Sequence, residues 1–520
     1  MINNWQVPRN KRKLYPVVDI LSLFTLQNLG DVWNNDLARQ LDFESELERY
    51  GIKRPGLRRD RKGGGARTYE SWLYNLGLIF IETDTEIVRT TLAGEALLAG
   101  QPPVPIITKQ LMKLQYPSPY SQRGRVDINS RFRIRPFRFL LRLLLDPRIE
   151  VLSKSEIGRF VITEGENETN ACYEHVVQRI LDYRINGEGV LPNDFDDLYT
   201  SSTTGVRLRE KTIKYLEDIA NTLMNYLEYT QFILRVGKGK IVLSEDSIHD
   251  VEAILNDGTS VRAYDPNHPY GNENFQRNFG LAPGQNRDNR TFGGETVTDT
   301  LYRQRRVRSE LLHIAGIRPF TTITTQLVNE IGSITGFTLE QVEDAIVGFR
   351  PDTFSVFEAS YLNMAISGRE LDTEFELATA EVFELLGFYS RHVGNNPLHP
   401  DIFVESPENY SGIIDTKAYR RYSISNDHRN RMTNNYIPTY KDEHDNLEFF
   451  MYVADGFGTN INSQIQQIHT QSPDVFGSVI TARNTIRILQ RHLSDPISHE
   501  DLRSLFKTNR KITLRDIESL

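Results

Sequence analysis

The sequence predicts a multidomain protein of the α+β and α/β classes, in which repeated helix-and-hairpin modules precede an α/β domain with a central mixed sheet. Three observations lead to this prediction. The chain has 520 residues, which is too long for a single hydrophobic core. Segments of the N-terminal half repeat the order helix, hairpin, helix. Near the C-terminus, an amphipathic helix precedes several strand-like runs.

Changes of pattern along the chain predict five segments. The first three are winged-helix modules, the fourth is a linker with a helical connector, and the fifth is the α/β domain. These segments cover residues 1–110, 111–190, 191–270, 271–355 and 356–520. The linker prediction rests on residues 271–294, which are rich in Asn, Gly, Gln and Arg and nearly lack aliphatic side chains.

Two of the modules have clear internal patterns. In the first, a helix over 69–76 precedes alternating residues 78–89, which reverse at a Thr-Asp-Thr turn before another helix. In the third, a helix over 215–227 precedes a hairpin over 232–243 with a Gly-Lys-Gly-Lys tip. The second module is predicted from an apolar helix and from Ser153, which caps a short helix. A winged helix suits the major groove of DNA but also mediates protein contacts.

An amphipathic helix is predicted over residues 371–388, upstream of the strand-like runs. It ends at Gly387, which favours a helix terminus. Its apolar residues recur at spacings of three and four and are Leu377, Ala380, Phe383 and Leu386.

Two aspartates and a lysine follow this helix. Asp401 precedes an apolar run, and Asp415 ends the next one, with Lys417 two residues beyond it. The turn-forming residues 406–409 fold the two runs into a hairpin, which brings the aspartates together. Side chains alternate along a strand, so Asp415 and Lys417 project from the same face.

This residue set suits phosphodiester hydrolysis with Mg²⁺. Asp401 and Asp415 supply carboxylates for one or two ions, and the backbone carbonyl of Thr416 completes the shell. Lys417 orients or deprotonates the attacking water and stabilises the charge on phosphorus. A single Asp-x-Lys is usually a surface charge, but the order helix, hairpin, Asp-x-Lys favours a site. Glu376 is either an outer carboxylate of that site or a solvent-facing residue.

The order of these elements resembles the restriction-endonuclease-like nuclease fold. The segment Gly-Ile-Ile-Asp-Thr-Lys-Ala-Tyr at 412–419, with Pro-Asp at 400–401, resembles the FokI-like cleavage domain of type IIS restriction endonucleases. The resemblance covers roughly residues 357–520 and departs at Arg420 and Arg421, where that family has small residues. The N-terminal region resembles, more loosely, the AlwI family.

The resemblance implies a Mg²⁺-dependent endonuclease that binds an asymmetric duplex site and cuts at a fixed distance. It also implies that each nuclease domain cuts one strand, so that double-strand cleavage needs a transient homodimer. The pairing face falls on residues 424–436, which include charges of both signs. A cognate methyltransferase is expected as a separate protein. An enzyme that nicks one strand, or a nuclease subunit, remains open.

Composition narrows the class further. A single cysteine, Cys172, excludes an intrachain disulfide, and no apolar run approaches the length of a membrane span. We therefore expect a cytoplasmic protein, and the resemblance to restriction endonucleases implies a prokaryotic one. The formal net charge of −8 argues against nucleic acid, but basic residues concentrate in three clusters within the first 145 residues.

These clusters make double-stranded DNA the expected partner. Each one alone is more often a solvated surface. The first spans residues 9–13, the second spans 53–67, and the third comprises Arg131, Arg133, Arg135, Arg138 and Arg142. The candidate DNA-contacting residues are Arg58, Arg59, Arg61, Lys62, Arg67, Lys238 and Lys240.

Two other interpretations compete with the restriction class. A DNA-binding regulator with a degenerate nuclease fold is disfavoured because both aspartates and the lysine are present. A structure-specific repair nuclease would share these residues but would not need about 300 residues of recognition modules.

Overall fold

The computed structural model divides the chain into two compact units. Unit 1 comprises Met1–Leu312 and Ile323–Asp352, and unit 2 comprises His313–Thr322 and Thr353–Leu520. The structure describes residues 2–8, 13–53, 62–122, 128–199, 208–237, 239–293, 298–320, 322–394 and 398–520. None of the helices in these ranges is both long and apolar enough to cross a bilayer.

Unit 1 is mainly helical and holds two small sheets. Its first seven labelled helices are α1 (Val17–Asn28), α2 (Leu37–Arg49), α3 (Gly64–Asn75), α4 (Leu92–Leu98), α5 (Pro103–Lys113), α6 (Pro136–Leu145) and α7 (Lys154–Glu156). Those that follow are α8 (Ile162–Glu164), α9 (Asn170–Asn186), α10 (Phe195–Tyr199), α11 (Arg209–Tyr229), α12 (Ile248–Leu255), α13 (Gly271–Phe279), α14 (Asp299–Ile317), α15 (Thr325–Thr335) and α16 (Leu339–Ile346). The boundary between the units falls within α14. The strands are β1 (Ile79–Ile81), β2 (Val88–Thr90), β3 (Val151–Ser153), β4 (Ile233–Val236) and β5 (Lys240–Leu243).

The first predicted helix, hairpin and helix are present. Strands β1 and β2 pair antiparallel between α3 and α4. Thr91 caps α4, since its hydroxyl accepts a hydrogen bond from the Gly94 backbone at 3.1 Å.

The third predicted hairpin is also present, and it belongs to a larger sheet. Strands β4 and β5 pair antiparallel after α11, and β3 pairs with the other edge of β5 to give the order β3-β5-β4. Ser153 caps α7 in a capping box with Glu156, as predicted. The sheet thus joins segments from both sides of residue 190. The sequence did not predict this pairing, because a three-residue strand this far upstream gives little signal.

The prediction of a loop at 271–294 is wrong for its first part, which forms helix α13. Phe275 and Phe279, four residues apart, are buried and give the helix a narrow apolar face. The buried Gln276 amide donates to the Tyr74 carbonyl at 2.7 Å. The polar composition therefore hid a helix that needs only two aromatic side chains to pack.

The third basic cluster is largely an internal network. Arg135 is buried and pairs with Glu168 at 2.6 Å, and Arg138 is buried and pairs with Asp257 at 2.8 Å. These two arginines are therefore neither a solvated surface nor a free basic patch, because their guanidinium groups bind carboxylates of the same unit.

Unit 2 is built on the predicted mixed sheet. Its strands are β6 (Tyr389–His392), β7 (Ile402–Glu405), β8 (Ser411–Thr416), β9 (Leu447–Ala454), β10 (Phe476–Thr481) and β11 (Arg510–Lys511), in the order β11-β10-β9-β8-β7-β6. Strands β6 to β8 pair antiparallel, and β8 to β11 pair parallel. Its labelled helices are α17 (Thr353–Met364), α18 (Asp372–Leu385), α19 (Asn426–Arg431), α20 (Ile437–Glu443), α21 (Ile461–Gln471), α22 (Ala482–Ser494), α23 (His499–Phe506) and α24 (Leu514–Glu518).

Both faces of this sheet are covered by apolar residues. One core contains Val404, Ile414 and Met451 together with residues of α18 and α22. The other contains Phe403 and Ile413, packed with residues of α20 and α21. Alternate residues of β7 and β8 therefore enter opposite cores, as the two-residue period of a strand requires.

Helix α18 forms as predicted and ends before Gly387, whose φ of 91° suits glycine. The predicted apolar face is wrong at Leu377, whose side chain is 46% exposed. Phe375 and Ala378 are buried instead. This correction rotates the buried face slightly but keeps Glu376 at its edge.

Candidate active site

The β7–β8 hairpin brings the two aspartates together. Asp401 immediately precedes β7, Asp415 lies near the end of β8, and Ile402 is the register partner of Ile414. The predicted turn closes this hairpin, with the Ser406 backbone donating to the Tyr410 carbonyl at 2.8 Å. Antiparallel pairing thus places the start of one strand beside the end of the next.

Lys417 joins the aspartates from the chain that follows β8. Its Nζ lies 2.7 Å from Oδ2 of Asp415 and 3.7 Å from Oδ2 of Asp401. The same Nζ donates to the Thr416 carbonyl at 2.8 Å. The Lys417 backbone donates to the Val453 carbonyl at 2.7 Å, which fixes the residue against β9.

Thr416 holds Asp401 in place. Its backbone N–H donates to Oδ2 of Asp401 at 2.6 Å, and its hydroxyl donates to the same oxygen at 3.1 Å. The sequence predicts only a carbonyl role for Thr416, so its two donor groups are a further contribution to the site. The hydroxyl after Asp415 was the available signal.

Burial and charge strongly perturb this group. Burial, followed by the nearby Asp415 carboxylate, raises the pKa of Asp401 to about 8 against the opposing effect of Lys417. Burial lowers the pKa of Lys417, but Asp415 and Asp401 outweigh it and hold the pKa above its usual value. Two buried carboxylates thus share one ammonium, which leaves the site short of positive charge.

The donor set fits a divalent cation of the Mg²⁺ type. Both carboxylates and the Thr416 carbonyl are hard oxygen donors, and all three lie around Nζ of Lys417. The raised pKa of Asp401 reflects a lack of positive charge at the site, and a bound cation would supply that charge. Over the described ranges, three or more His, Cys, Asp or Glu side chains nowhere gather as a metal-binding group. The ion would therefore keep water ligands, as Mg²⁺ commonly does.

Glu376 faces the site, so the solvent-facing alternative is wrong. Its side chain is 18% exposed, and its charge helps to raise the pKa of Asp401. Oε2 of Glu376 lies 2.7 Å from Nε2 of His392, the last residue of β6. His392 lies opposite Ile402 in the sheet, which places its side chain near the start of β7. His399 bonds the hydroxyl of Tyr440 at 3.1 Å instead.

The candidate DNA-contacting residues lie in unit 1. Lys62, Arg67 and Lys240 are exposed. Arg67 also donates to Oε1 of Gln40 at 2.8 Å and to the Lys62 carbonyl at 2.6 Å, which orients its guanidinium group. The remaining candidates lie outside the described residues and are Arg58, Arg59, Arg61 and Lys238.

Two protein-family models match this chain, one in its C-terminal part and one in its N-terminal part. Residues 336–513 match the model of the FokI cleavage domain, and residues 74–275 match the model of the AlwI restriction endonuclease. A search of curated proteins finds no match.

Three solved structures are among the matches. The restriction endonuclease FokI matches with 13% identity and a TM-score of 0.29, covering 99% of this chain and 100% of that chain. FokI bound to DNA matches with 13% identity and a TM-score of 0.29, covering 99% of each chain. The BpuJ1 endonuclease binding domain in complex with modified DNA matches with 17% identity and a TM-score of 0.37, covering 54% of this chain and 95% of that chain.

The two family models carry the assignment. Together with the fold of unit 2, these models identify the class of protein as a site-specific deoxyribonuclease. The chain is a type IIS restriction endonuclease with a FokI-like cleavage domain.

Proposed function

We propose that this enzyme binds an asymmetric duplex site through unit 1 and hydrolyses both strands at a fixed distance with unit 2 and Mg²⁺. One observation carries the proposal. Asp401, Asp415 and Lys417 meet at the ends of β7 and β8, with Nζ of Lys417 within 3.7 Å of both carboxylates. A buried site of this charge balance suits a cation and a phosphodiester better than a structural role.

Asp401, Asp415 and the Thr416 carbonyl are the proposed ligands of Mg²⁺. When bound, the ion stabilises charge on the scissile phosphate and lowers the pKa of a bound water. The N–H and hydroxyl of Thr416 fix the Asp401 carboxylate. Lys417 orients the attacking water and donates to the phosphate oxygens as negative charge develops on them.

Glu376 acts as an outer carboxylate in this proposal. Its hydrogen bond to His392 fixes the carboxylate, whose charge acts on Asp401. From there it accepts a hydrogen bond from water beside Asp401. Removal of His392 would release Glu376 and impair the site without removing a direct ligand.

The proposed homodimer forms through the segment beginning at α19. Asp427 and Arg431 form an ion pair at 2.9 Å and are exposed by 66% and 44%. An exposed surface with charges of both signs suits a weak, reversible contact. Pairing of two nuclease sites gives double-strand cleavage, and an enzyme without this pairing nicks one strand.

The remaining parts of the proposal concern modules and context. The segments 1–110, 111–190 and 191–270 serve as winged-helix recognition modules, and 271–355 connects them to the nuclease region 356–520. The exposed Lys62, Arg67 and Lys240 contact DNA together with Arg58, Arg59, Arg61 and Lys238. A separate cognate methyltransferase protects the host site in a prokaryotic cytoplasm.

Digestion of a plasmid library followed by sequencing of the ends tests this function. With Mg²⁺, we expect double-stranded ends at a constant offset from one asymmetric sequence, and no ends with a chelator. Single-strand ends at a constant offset would select the nickase alternative. Ends at random positions, or at branched structures only, would contradict site-specific restriction.

A further inference from the structure

Unit 1 contains a cavity of about 810 Å³ between α5, α12 and α13. Its volume lies within the range of small-molecule sites, which is roughly 300–1,000 Å³. It is separate from the residues of the nuclease site, because every residue that lines it belongs to unit 1. No part of the proposed nuclease chemistry uses it.

Three cations line this cavity without acidic partners. Lys109 and Lys113 lie four residues apart on α5, where like charges repel each other. Arg262 is the third. Within the described residues, none of the three forms an ion pair with a carboxylate. Lys109 donates only to the Ala282 carbonyl, at 2.7 Å.

The surrounding structure holds Arg262 in position. The buried side chain of Gln115 accepts from the Arg262 backbone N–H at 2.9 Å and donates to its carbonyl at 2.8 Å. Burial, followed by the charges of Lys109 and Arg262, lowers the pKa of Lys113 to about 8. The fold thus maintains repulsion among three cations instead of relieving it.

Neighbouring charges do not neutralise this group. Arg135 and Arg138 also line the cavity, but Glu168 and Asp257 already balance them. Asp250 lines the cavity and is exposed, and its carboxylate lies 3.9 Å from His249. The excess charge is therefore positive and faces the cavity, as an anionic ligand requires.

The rest of the lining is aromatic and aliphatic. Phe232, Phe275 and Phe279 contribute rings, and Met112 and Ile254 contribute aliphatic surface. Aromatic side chains are the platforms on which nucleobases stack in proteins that bind single strands. A free phosphate would use the cations and leave this apolar surface without a contact.

We propose that this cavity binds one nucleotide, with its phosphate on Lys109, Lys113 and Arg262 and its base against the phenylalanines. The inference goes beyond the proposed restriction activity and does not depend on Asp401 or Asp415. An intact duplex is too wide for the cavity, so the nucleotide comes either from free nucleotide or from an unpaired base of DNA.

Acylation of lysines in the full-length protein tests this proposal. At about pH 8, near the pKa of Lys113, its amine is partly neutral and should react faster than ordinary lysines. The probes are the four deoxynucleoside monophosphates, a single-stranded oligonucleotide and inorganic phosphate. Mass spectrometry then measures acylation of Lys113 and of the exposed Lys211, which serves as the internal reference.

A nucleotide should protect Lys113 several-fold and leave Lys211 unchanged. Protection by monophosphates identifies free nucleotide as the source, and protection by the oligonucleotide alone identifies an unpaired base. Equal protection by inorganic phosphate would overturn the proposal, because the base would then contribute nothing. Absence of protection by every probe would also overturn it.

Variants provide a second measurement by calorimetric titration of the bound nucleotide. Lys113→Gln and Arg262→Gln should each weaken binding about tenfold or more, because each loses a charge-assisted contact. Lys211→Gln, at an exposed lysine of α11, is the matched control and should bind as the parent does. Plasmid cleavage by each variant shows that it folds. Unchanged affinity in an active Lys113→Gln, Arg262→Gln double variant would contradict the proposal.

Discussion

Two groups of charged side chains stand out in the sequence, and the structure shows that their charges are balanced differently. In unit 1, Arg135 and Arg138 each contact one carboxylate, so their charges are balanced inside the fold. In unit 2, Asp401 and Asp415 share the single ammonium of Lys417, and burial raises the pKa of Asp401 to about 8. The first group is balanced, and the second needs a further cation.

The comparison teaches that charge balance separates structural clusters from functional ones. A basic run predicts DNA contact only when acidic residues elsewhere in the chain leave it unpaired. The partners Glu168 and Asp257 lie 33 and 119 residues from their arginines, which is too far for a sequence pattern to show. An unbalanced buried group costs stability and marks a site.

Replacement of Lys417 should have the largest effect on activity. Lys417→Met removes the cation that contacts both carboxylates, and we expect cleavage to fall by about 10²–10³-fold or more. Cleavage of a site-bearing plasmid measures the effect. Lys441→Met, on the surface pair with Asp474, is the control and should cut normally. A Lys417→Met enzyme within a few-fold of the parent would place the chemistry elsewhere.

Affinity for Mg²⁺ should depend on pH through Asp401. Because its pKa is raised to about 8, the folded metal-free protein keeps a proton that the unfolded chain has lost. The stability of that state should therefore fall as pH rises from about 4 to about 8. Mg²⁺ displaces the proton, so affinity should rise about tenfold per pH unit below that pKa.

Calorimetry in buffers of different ionisation enthalpy measures this release. We expect about one proton per ion at neutral pH, and much less from Asp401→Asn. Binding of Mg²⁺ without proton release by the parent would show that Asp401 is already ionised. The site in unit 2 would then not differ in charge balance from the arginine pairs of unit 1.

Arg138→Met tests the balanced side of the comparison. Loss of the buried guanidinium leaves Asp257 unpaired, and because Asp257 is 38% exposed we expect about 1–3 kcal/mol of lost stability. Urea unfolding followed by tryptophan fluorescence reports on unit 1 alone, since Trp5, Trp33 and Trp72 all lie there.

The controls for Arg138→Met are chosen from the same unit. Arg49→Met removes an exposed guanidinium 3.5 Å from Glu46 and should change stability by less than about 0.5 kcal/mol. A double variant with Asp257→Asn should recover part of the loss. Weaker DNA binding by a stably folded Arg138→Met enzyme would instead support a direct DNA contact.

The second basic cluster should give the smallest effect. Replacement of Arg58, Arg59 and Arg61 by Ala should weaken specific and non-specific binding together. The log-log salt slope should become shallower by about one unit for each lost phosphate contact. Fluorescence anisotropy at several salt concentrations measures both. A loss confined to one base position would mean base readout, and no change would mean a solvated cluster.

The sequence predicted unit 2 better than unit 1 for a physical reason. The Asp401 to Lys417 pattern depends on adjacent strands, one turn and a two-residue period, all of which are local. Strand β3 and helix α13 depend on distant partners, and the Tyr74 carbonyl that Gln276 contacts lies 202 residues away. Such elements give weak local signals.

Within the site, the same rule separates what was predicted from what was missed. The two aspartates and Lys417 were predicted from the hairpin. The hydrogen bond from His392 to Glu376 was not, because it joins β6 to α18 through side chains alone. Leu377 was assigned to the wrong face because the buried residues Phe375 and Ala378 follow the same helical spacing as the predicted set, shifted along the chain.

Substitution of Asp415 tests the central claim most directly, with cleavage and DNA binding measured on the same site-bearing duplex. Asp415→Ala should abolish Mg²⁺-dependent cleavage and bind the site as the parent does, because our proposal assigns recognition to unit 1. The exposed Asp442→Ala is the matched control and should keep both activities. More than trace cleavage by Asp415→Ala would contradict the assignment of the active site.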